Sequence, residues 1–218
     1  VTWHNSFGGA SNTDYLYLNG QIDKGGDGSN AFWNNTVPTN SVFSVGTASS
    51  VNNSNDKYIA WCWSEISGFS KISSYTGNGS STGPVVTTGF KPRYVLLKAD
   101  VDGEDWVVLD TARTPTNPSD VLLSPNSSAQ QFTHASAYDF DFLSNGFQPK
   151  NTNPRWNTLN ETYYYIAFAD RPGNDWFVNN INANATGDLD STQNMSVNLY
   201  SGNGNEQRVG GPIYSNDP

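Results

Sequence analysis

Charged side chains are scarce in this sequence, where Lys, Arg, Asp and Glu together make up 14% of 218 residues. Those present are mostly acidic, 20 against 11 basic, for a net charge of −9. A nucleic-acid partner is therefore not expected, since phosphate contact needs a concentrated Lys/Arg surface. Cysteine occurs once, as Cys62 within YIAWCWSEI. One thiol excludes an intrachain disulfide and any CxxC zinc spacing, and its aromatic, strand-like neighbours point to a buried, inert group. The two histidines, His4 and His134, fall in no HExxH or Cys/His pattern. No apolar run approaches the ~18 residues of a membrane span, and no basic and apolar leader opens the chain. The expectation is a soluble chain without a membrane partner.

What fills the chain instead is Asn, Ser, Thr and Gly, with aromatics at 13%. Few Lys and Glu beside many Thr, Val, Tyr and Trp make poor helices and good strands and turns. Alternation predicts strands at 14–18, 41–45, 58–65, 69–75, 93–99, 106–110, 163–169, 175–178 and 195–200. Gly, Pro and Asn cluster in GQIDKGGDGSN, TARTPTNPSD and QPKNTNPRWNTLN, which read as loops. Trp61, Trp63 and Trp106 lie in apolar strands and read as core. The expected fold class is all-β, an antiparallel, jelly-roll-like β-sandwich.

The chain also repeats itself. YTGNG at Tyr75 returns as YSGNG at Tyr200, and the segment from Ser41 to Trp63 parallels that from Asp141 to Ala169. In both, an aromatic and a serine lead to a glycine (Gly46, Gly146), then an Asn-rich loop, then an aromatic Tyr-Ile-Ala strand. Trp3 to Tyr58 is 58 − 3 = 55 positions and Trp106 to Tyr165 is 165 − 106 = 59, which suggests a duplicated module. The expected organisation is the rear of a first module at 1–65, a complete module at 66–172, and an extension plus a truncated further module at 173–218. The chain is then either a fragment of a longer polypeptide or one whose terminal pieces complete a domain, with each other or with a neighbour.

The motifs Tyr58 to Ala60, Gly68 to Lys71 (GFSK), Tyr75 to Gly79 (YTGNG), Gly89 to Pro92 (GFKP) and Trp106 to Arg113 (ending Asp-x-x-Arg) carry a resemblance. Over roughly residues 30 to 172 the sequence resembles an uncharacterised repeated β domain of tail-fibre and other virion proteins of tailed, often marine, bacteriophages. The resemblance implies a place on the virion surface and no reaction. Residues 173–194 fall outside it, and the second YSGNG lacks a following GFxP.

Several residues invite chemistry. A Gly-Asn-Gly phosphate loop would open a helix, but SSTGPVVTTG follows, so a hairpin turn with Asn and Gly at positive φ is expected. DVDGED sets Asp100, Asp102 and Asp105 on one turn, as a weak candidate for Ca2+. Its Gly103 is at the fourth position rather than the sixth of an EF-hand, and no twelfth-position Glu follows. DKGGDG at Asp23 and Asp27 is a similar turn. Trp33 and Trp156, in Asn-rich loops, are the candidates for glycan contact, since flat aromatic faces beside amides suit a sugar ring. No catalytic residue is assigned. The expected function is a structural or surface protein of a tailed-phage virion, as fibre, spike or head decoration. Its partners would be other virion proteins, copies of itself and a host surface glycan. A bacterial extracellular adhesin or filament subunit, a carbohydrate-binding module and a polysaccharide depolymerase are the alternatives.

Overall fold

A computed structural model describes residues 1–7, 13–26, 31–39, 41–133, 139–169, 195–201, 205 and 207–210. The expected strand at 175–178 and His134 lie outside the described residues. The chain is all-β: its one described helix, α1 (Ser49–Asn52), is a single turn.

Strand β5 (Ser70–Thr76) begins the larger sheet, which adds β7 (Pro92–Ala99), β8 (Val107–Asp110) and β13 (Thr162–Ala169) in the antiparallel order β5-β13-β7-β8. The aromatic run TYYYIAFA holds an inner position with partners on both edges, Tyr163 lying opposite Tyr75 on one side and Ala99 on the other. Side chains alternate across a strand, so Tyr163, Tyr165 and Ala167 share one face with Val95, Leu97 and Ala99. That face meets a second sheet of β6 (Val86–Thr87), β11 (Phe140–Leu143) and β12 (Gly146–Pro149), ordered β11-β12-β6. Val86, Phe140, Phe142 and Phe147 enter the same cluster from there. Short strands β9 (Val121–Leu122) and β10 (Phe132–Thr133) pair with each other, and Leu122 joins the core. Sequence alternation missed β6, β9, β10, β11 and β12, all of two to four residues.

The N-terminal part builds a separate cluster. Strands β1 (Asp14–Tyr15) and β2 (Gly25–Gly26) pair, the latter inside what the sequence marked as a loop. Phe32, Trp33, Val45 and Val51 pack with Trp3, Tyr15, Tyr17 and Phe43. β3 (Val42–Val45) pairs with β15 (Gln207–Gly210), and β4 (Lys57–Trp63) with β14 (Met195–Ser201). The last described strands therefore return to the first third of the chain. A third cluster joins the two parts: Phe7 and Leu16 lie against Trp106, Tyr164 and Leu96 on the outer face of the four-stranded sheet.

One expectation about this frame fails in part. Trp106 is core at 4% exposure, but Trp61 and Trp63 are 57% and 40% exposed. Alternation along β4 puts them with Ile59 on a face that the described residues leave uncovered, while Tyr58, Ala60 and Cys62 take the half-buried face. Cys62 is thus half-buried rather than sealed in a core.

Candidate functional site

The Gly-Asn-Gly segment does not close a hairpin. β5 pairs with β13, distant in sequence, and the chain after β5 passes to β6 in the other sheet. Asn78 is not among the residues at positive φ; Gly79 is, at 62°. The segment locks into the loop 151–160. Asn78 N–H donates to Asn157 Oδ1 (2.8 Å), and Asn157 Nδ2 donates to the carbonyls of Ser80 (2.7 Å) and Asn151 (2.9 Å). Gly77 N–H donates to Glu161 O, and Gly77 O accepts from Asn160 N–H. A Cβ at Gly77 would lie 2.1 Å from Thr158 O, so only glycine fits there. Every donor and acceptor named here faces protein, which makes the motif architecture rather than a ligand cradle.

Both glycan candidates sit beneath such loops. Trp156 is fully buried, its indole N–H donating to Asn151 Oδ1 (2.8 Å) and its ring edge-on to Phe140. Trp33 is 9% exposed and donates to Asp14 O (2.9 Å). Stacking on a sugar needs an open ring face, and in this arrangement neither indole offers one.

The DVDGED turn and the segment from Gln21 to Lys24 prove to be neighbours, while Asp27 lies outside the described residues. Asp100 Oδ1 accepts from Lys24 N–H (2.7 Å), Gly103 N–H donates to Gln21 O (3.0 Å), and Asp105 Oδ1 accepts from Gln21 Nε2 (2.8 Å). Asp100 Oδ2 accepts from the Tyr164 hydroxyl (3.0 Å), and burial with the Asp100 charge pushes that phenol well above its usual range. Asp102 is exposed. Asp105 also accepts from Asn126 Nδ2 (2.8 Å) and pairs with Arg155 (3.4 Å). Burial pushes the Asp105 carboxyl up, but the Gln21 and Asn126 bonds and the Arg155 charge outweigh it, and its pKa is lowered overall. Asp100 and Asp105 thus point to different protein partners, while Asp102 faces solvent. Among the described residues no group of three His, Cys, Asp or Glu is placed to hold a metal ion.

A cation is nonetheless built in. Lys98 is fully buried, its ammonium donating to Ala99 O (2.6 Å) and Val101 O (3.3 Å). Burial lowers its pKa, and the charges of Asp100, Asp23, Glu104 and Asp102 oppose that. A lysine under a turn of carboxylates neutralises part of their mutual repulsion from inside. Nothing in the run RYVLLKAD separates this Lys from an exposed one; its burial is a property of the folded chain.

Beside this knot lies an open polar depression of about 440 Å³, lined by Asn19, Gln21, Asp105, Asn126, Ser127 and Ser128. Its volume falls within the range of small-ligand clefts, but its lining lacks the apolar majority such clefts usually have. His4, also buried, is committed to structure. Its Nδ1 accepts from Ser6 N–H (3.1 Å), which leaves Nε2 to donate to Tyr165 O (3.2 Å).

The motifs behind the family resemblance are structural in the same way. In Asp-x-x-Arg, Asp110 accepts from the backbone of Ala112 and Arg113 and pairs with the Arg113 side chain (3.2 Å). In GFSK, Gly68 takes φ 75°, and Lys71 pairs with Glu65 (2.9 Å).

The model of one family, described as a domain of unknown function (DUF7483), matches residues 1–172. No curated protein and no solved structure matches the chain.

Proposed function

The chain belongs to the DUF7483 family, and from that premise we propose that it is a structural surface protein of a tailed-phage virion. Its place is a fibre, spike or head decoration, and its work is assembly with other virion proteins and host adhesion. We read the fold as a jelly-roll-like sandwich built from a duplicated module. One observation carries this. Strand β5, which leads into YTGNG, pairs antiparallel with the Tyr-Ile-Ala strand β13, and β14, which leads into YSGNG, pairs antiparallel with the Tyr-Ile-Ala strand β4. In the second sheets Val86 lies opposite Phe147, just after Gly146, whereas Val209 lies opposite Phe43, before Gly46, so the pairing there departs from the alignment of the two glycines. On this reading the start and end of the chain make a second unit on the same plan as the first. Conserving such a frame through polar turns and close-fitting glycines suits a part that is stacked and exposed rather than one that turns over substrate.

The resemblance of the motifs supplies the virion setting. Mass spectrometry of purified particles tests it, and particles without this chain overturn it. Recovery instead from a cell-surface filament fraction favours the bacterial adhesin or filament alternative.

A glycan-contact role has one observation in its favour, the amide- and hydroxyl-lined depression at Asp105. Binding on a glycan array that Asn126→Ala and Gln21→Ala leave unchanged would remove that site. We read the chain as non-enzymatic. The acid in the depression is held ionised, whereas glycoside hydrolysis needs a general acid of raised pKa beside its partner carboxylate. Release of reducing ends from a capsular polysaccharide would contradict this.

A further inference from the structure

Lys57, Ile59, Trp61, Trp63 and Glu65 alternate along β4 and the turn after it, and all five are exposed. Ile59 is 55%, Trp61 57% and Trp63 40% exposed. Together these three present on the order of 300 Å² of apolar surface, given the area that an aromatic side chain carries. The corresponding face of β13 is not left bare. Tyr164 lies beneath Phe7, Leu16 and Trp106, and Phe168 is flanked by Phe69 and Tyr94. A contiguous apolar stripe of this size, rimmed by charge, marks an interaction surface.

The order of the side chains selects the partner. Outward from Trp61 the stripe reads apolar residue then charge in both directions, ending in Lys57 on one side and Glu65 on the other. Two such stripes laid antiparallel about a two-fold axis through Trp61 match completely. Trp61 meets Trp61, Ile59 meets Trp63, and Lys57 meets Glu65, twice. Self-complementarity of this kind is what an isologous dimer requires. The Glu65 carboxylate is fixed by Lys71 (2.9 Å) and Ile72 N–H (2.9 Å). A glycan would stack on the tryptophans but has no use for opposite charges at the two ends.

We propose that this face of β4 is the contact between two copies of the chain. The contact supplies the self-association that the assembly reading calls for, and the two stand or fall separately. Particles lacking the chain refute that reading and leave a solution dimer intact, whereas a monomer in solution refutes the dimer alone. The surface is smaller than a standard interface of about 1,600 Å², so the association is micromolar rather than nanomolar.

Sedimentation velocity of the full chain from ~5 to ~200 µM covers that range. The expected result is a monomer–dimer equilibrium, weakened at least tenfold in Trp61→Asp, with circular dichroism melts showing the variant folded. The charges then test the register. Lys57→Glu and Glu65→Lys should each weaken self-association, because each places two like-charge pairs across the axis. Mixed one to one, they should form a heterodimer near wild-type affinity, since both pairs are then opposite in sign. A chain monomeric throughout, a dimer unaffected by Trp61→Asp, or folded charge variants that fail to associate on mixing would each overturn the proposal. Should Glu65→Lys not fold for want of its Lys71 partner, the response to Lys57→Glu and Trp61→Asp decides.

Discussion

Lys98 and His4 show how burial changes what a residue type does. Lys98 is the internal cation of an acidic turn, so removing its charge leaves Asp100, Asp102 and Glu104 facing one another without it. Lys98→Met keeps most of the volume and should cost about 1–3 kcal/mol, the scale of leaving the Ala99 and Val101 carbonyls without their donor; chemical denaturation measures it. His4 works in the opposite sense. Burial lowers its pKa from 6.5 to about 4, against the raising effects of its Tyr165 bond and Glu65. The unfolded chain therefore takes up the proton first. The His4 contribution to stability is complete above pH 6.5 and is lost as the pH falls from 6.5 towards 4, by about 3 kcal/mol at most. Melting temperature against pH should show this limb in the wild type. His4→Gln, which does not titrate, should flatten it. An unchanged profile would mean that the ring is not buried as described.

Pairing partners, more than residue content, distinguish the elements. β4 and β13 are both aromatic Tyr-Ile-Ala strands, yet β13 has a strand on each edge and packing on both faces. β4 is held by β14, so a chain ending at residue 194 should leave it unsupported. Amide exchange in β4 and β3 should then accelerate at least ~10-fold while β13 and β7 stay protected, as expected of separable cooperative units. Uniform acceleration would instead make the two parts one unit. The Gly-Asn-Gly segment acts at the same scale, by holding the crossing between sheets against the loop 151–160. Gly77→Ala drives a methyl into Thr158 O and the Tyr163 ring, and should destabilise by about 2–3 kcal/mol in urea.

At the scale of the molecule, the N-terminal segment serves as a lid over the outer face of the four-stranded sheet. Phe7 and Leu16 cover Tyr164 and Leu96, and Trp106 donates its indole N–H to Tyr17 O (2.9 Å). Deleting residues 1–26 should expose that apolar face. Dye binding to exposed apolar surface should rise and the melting temperature fall by about 10 °C, at ~2–4 °C per kcal/mol for this size. A deletion that melts like the parent would show the lid to be energetically idle.

The sequence by itself determined the class of structure. Scarce Lys and Glu with abundant Thr, Val and Tyr left little but strands, and the longer ones, at 57–63, 70–76, 92–99 and 162–169, stood out by alternation or apolar content. Asn abundance was legible too, since Asn78, Asn151 and Asn153 bond to backbone N–H groups two residues on, and Asn34, Asn55 and Asn160 take positive φ. What the tertiary structure alone decided is which face of each element is covered. Trp156 in a polar loop is buried and Trp61 in an apolar strand is exposed, because burial depends on what folds over a residue and not on its neighbours in the chain. For the same reason Asp100, Asp102 and Asp105, close in sequence and alike in chemistry, part ways only in the folded chain, where Lys24 N–H bonds Asp100, Gln21 bonds Asp105 and Asp102 stays exposed.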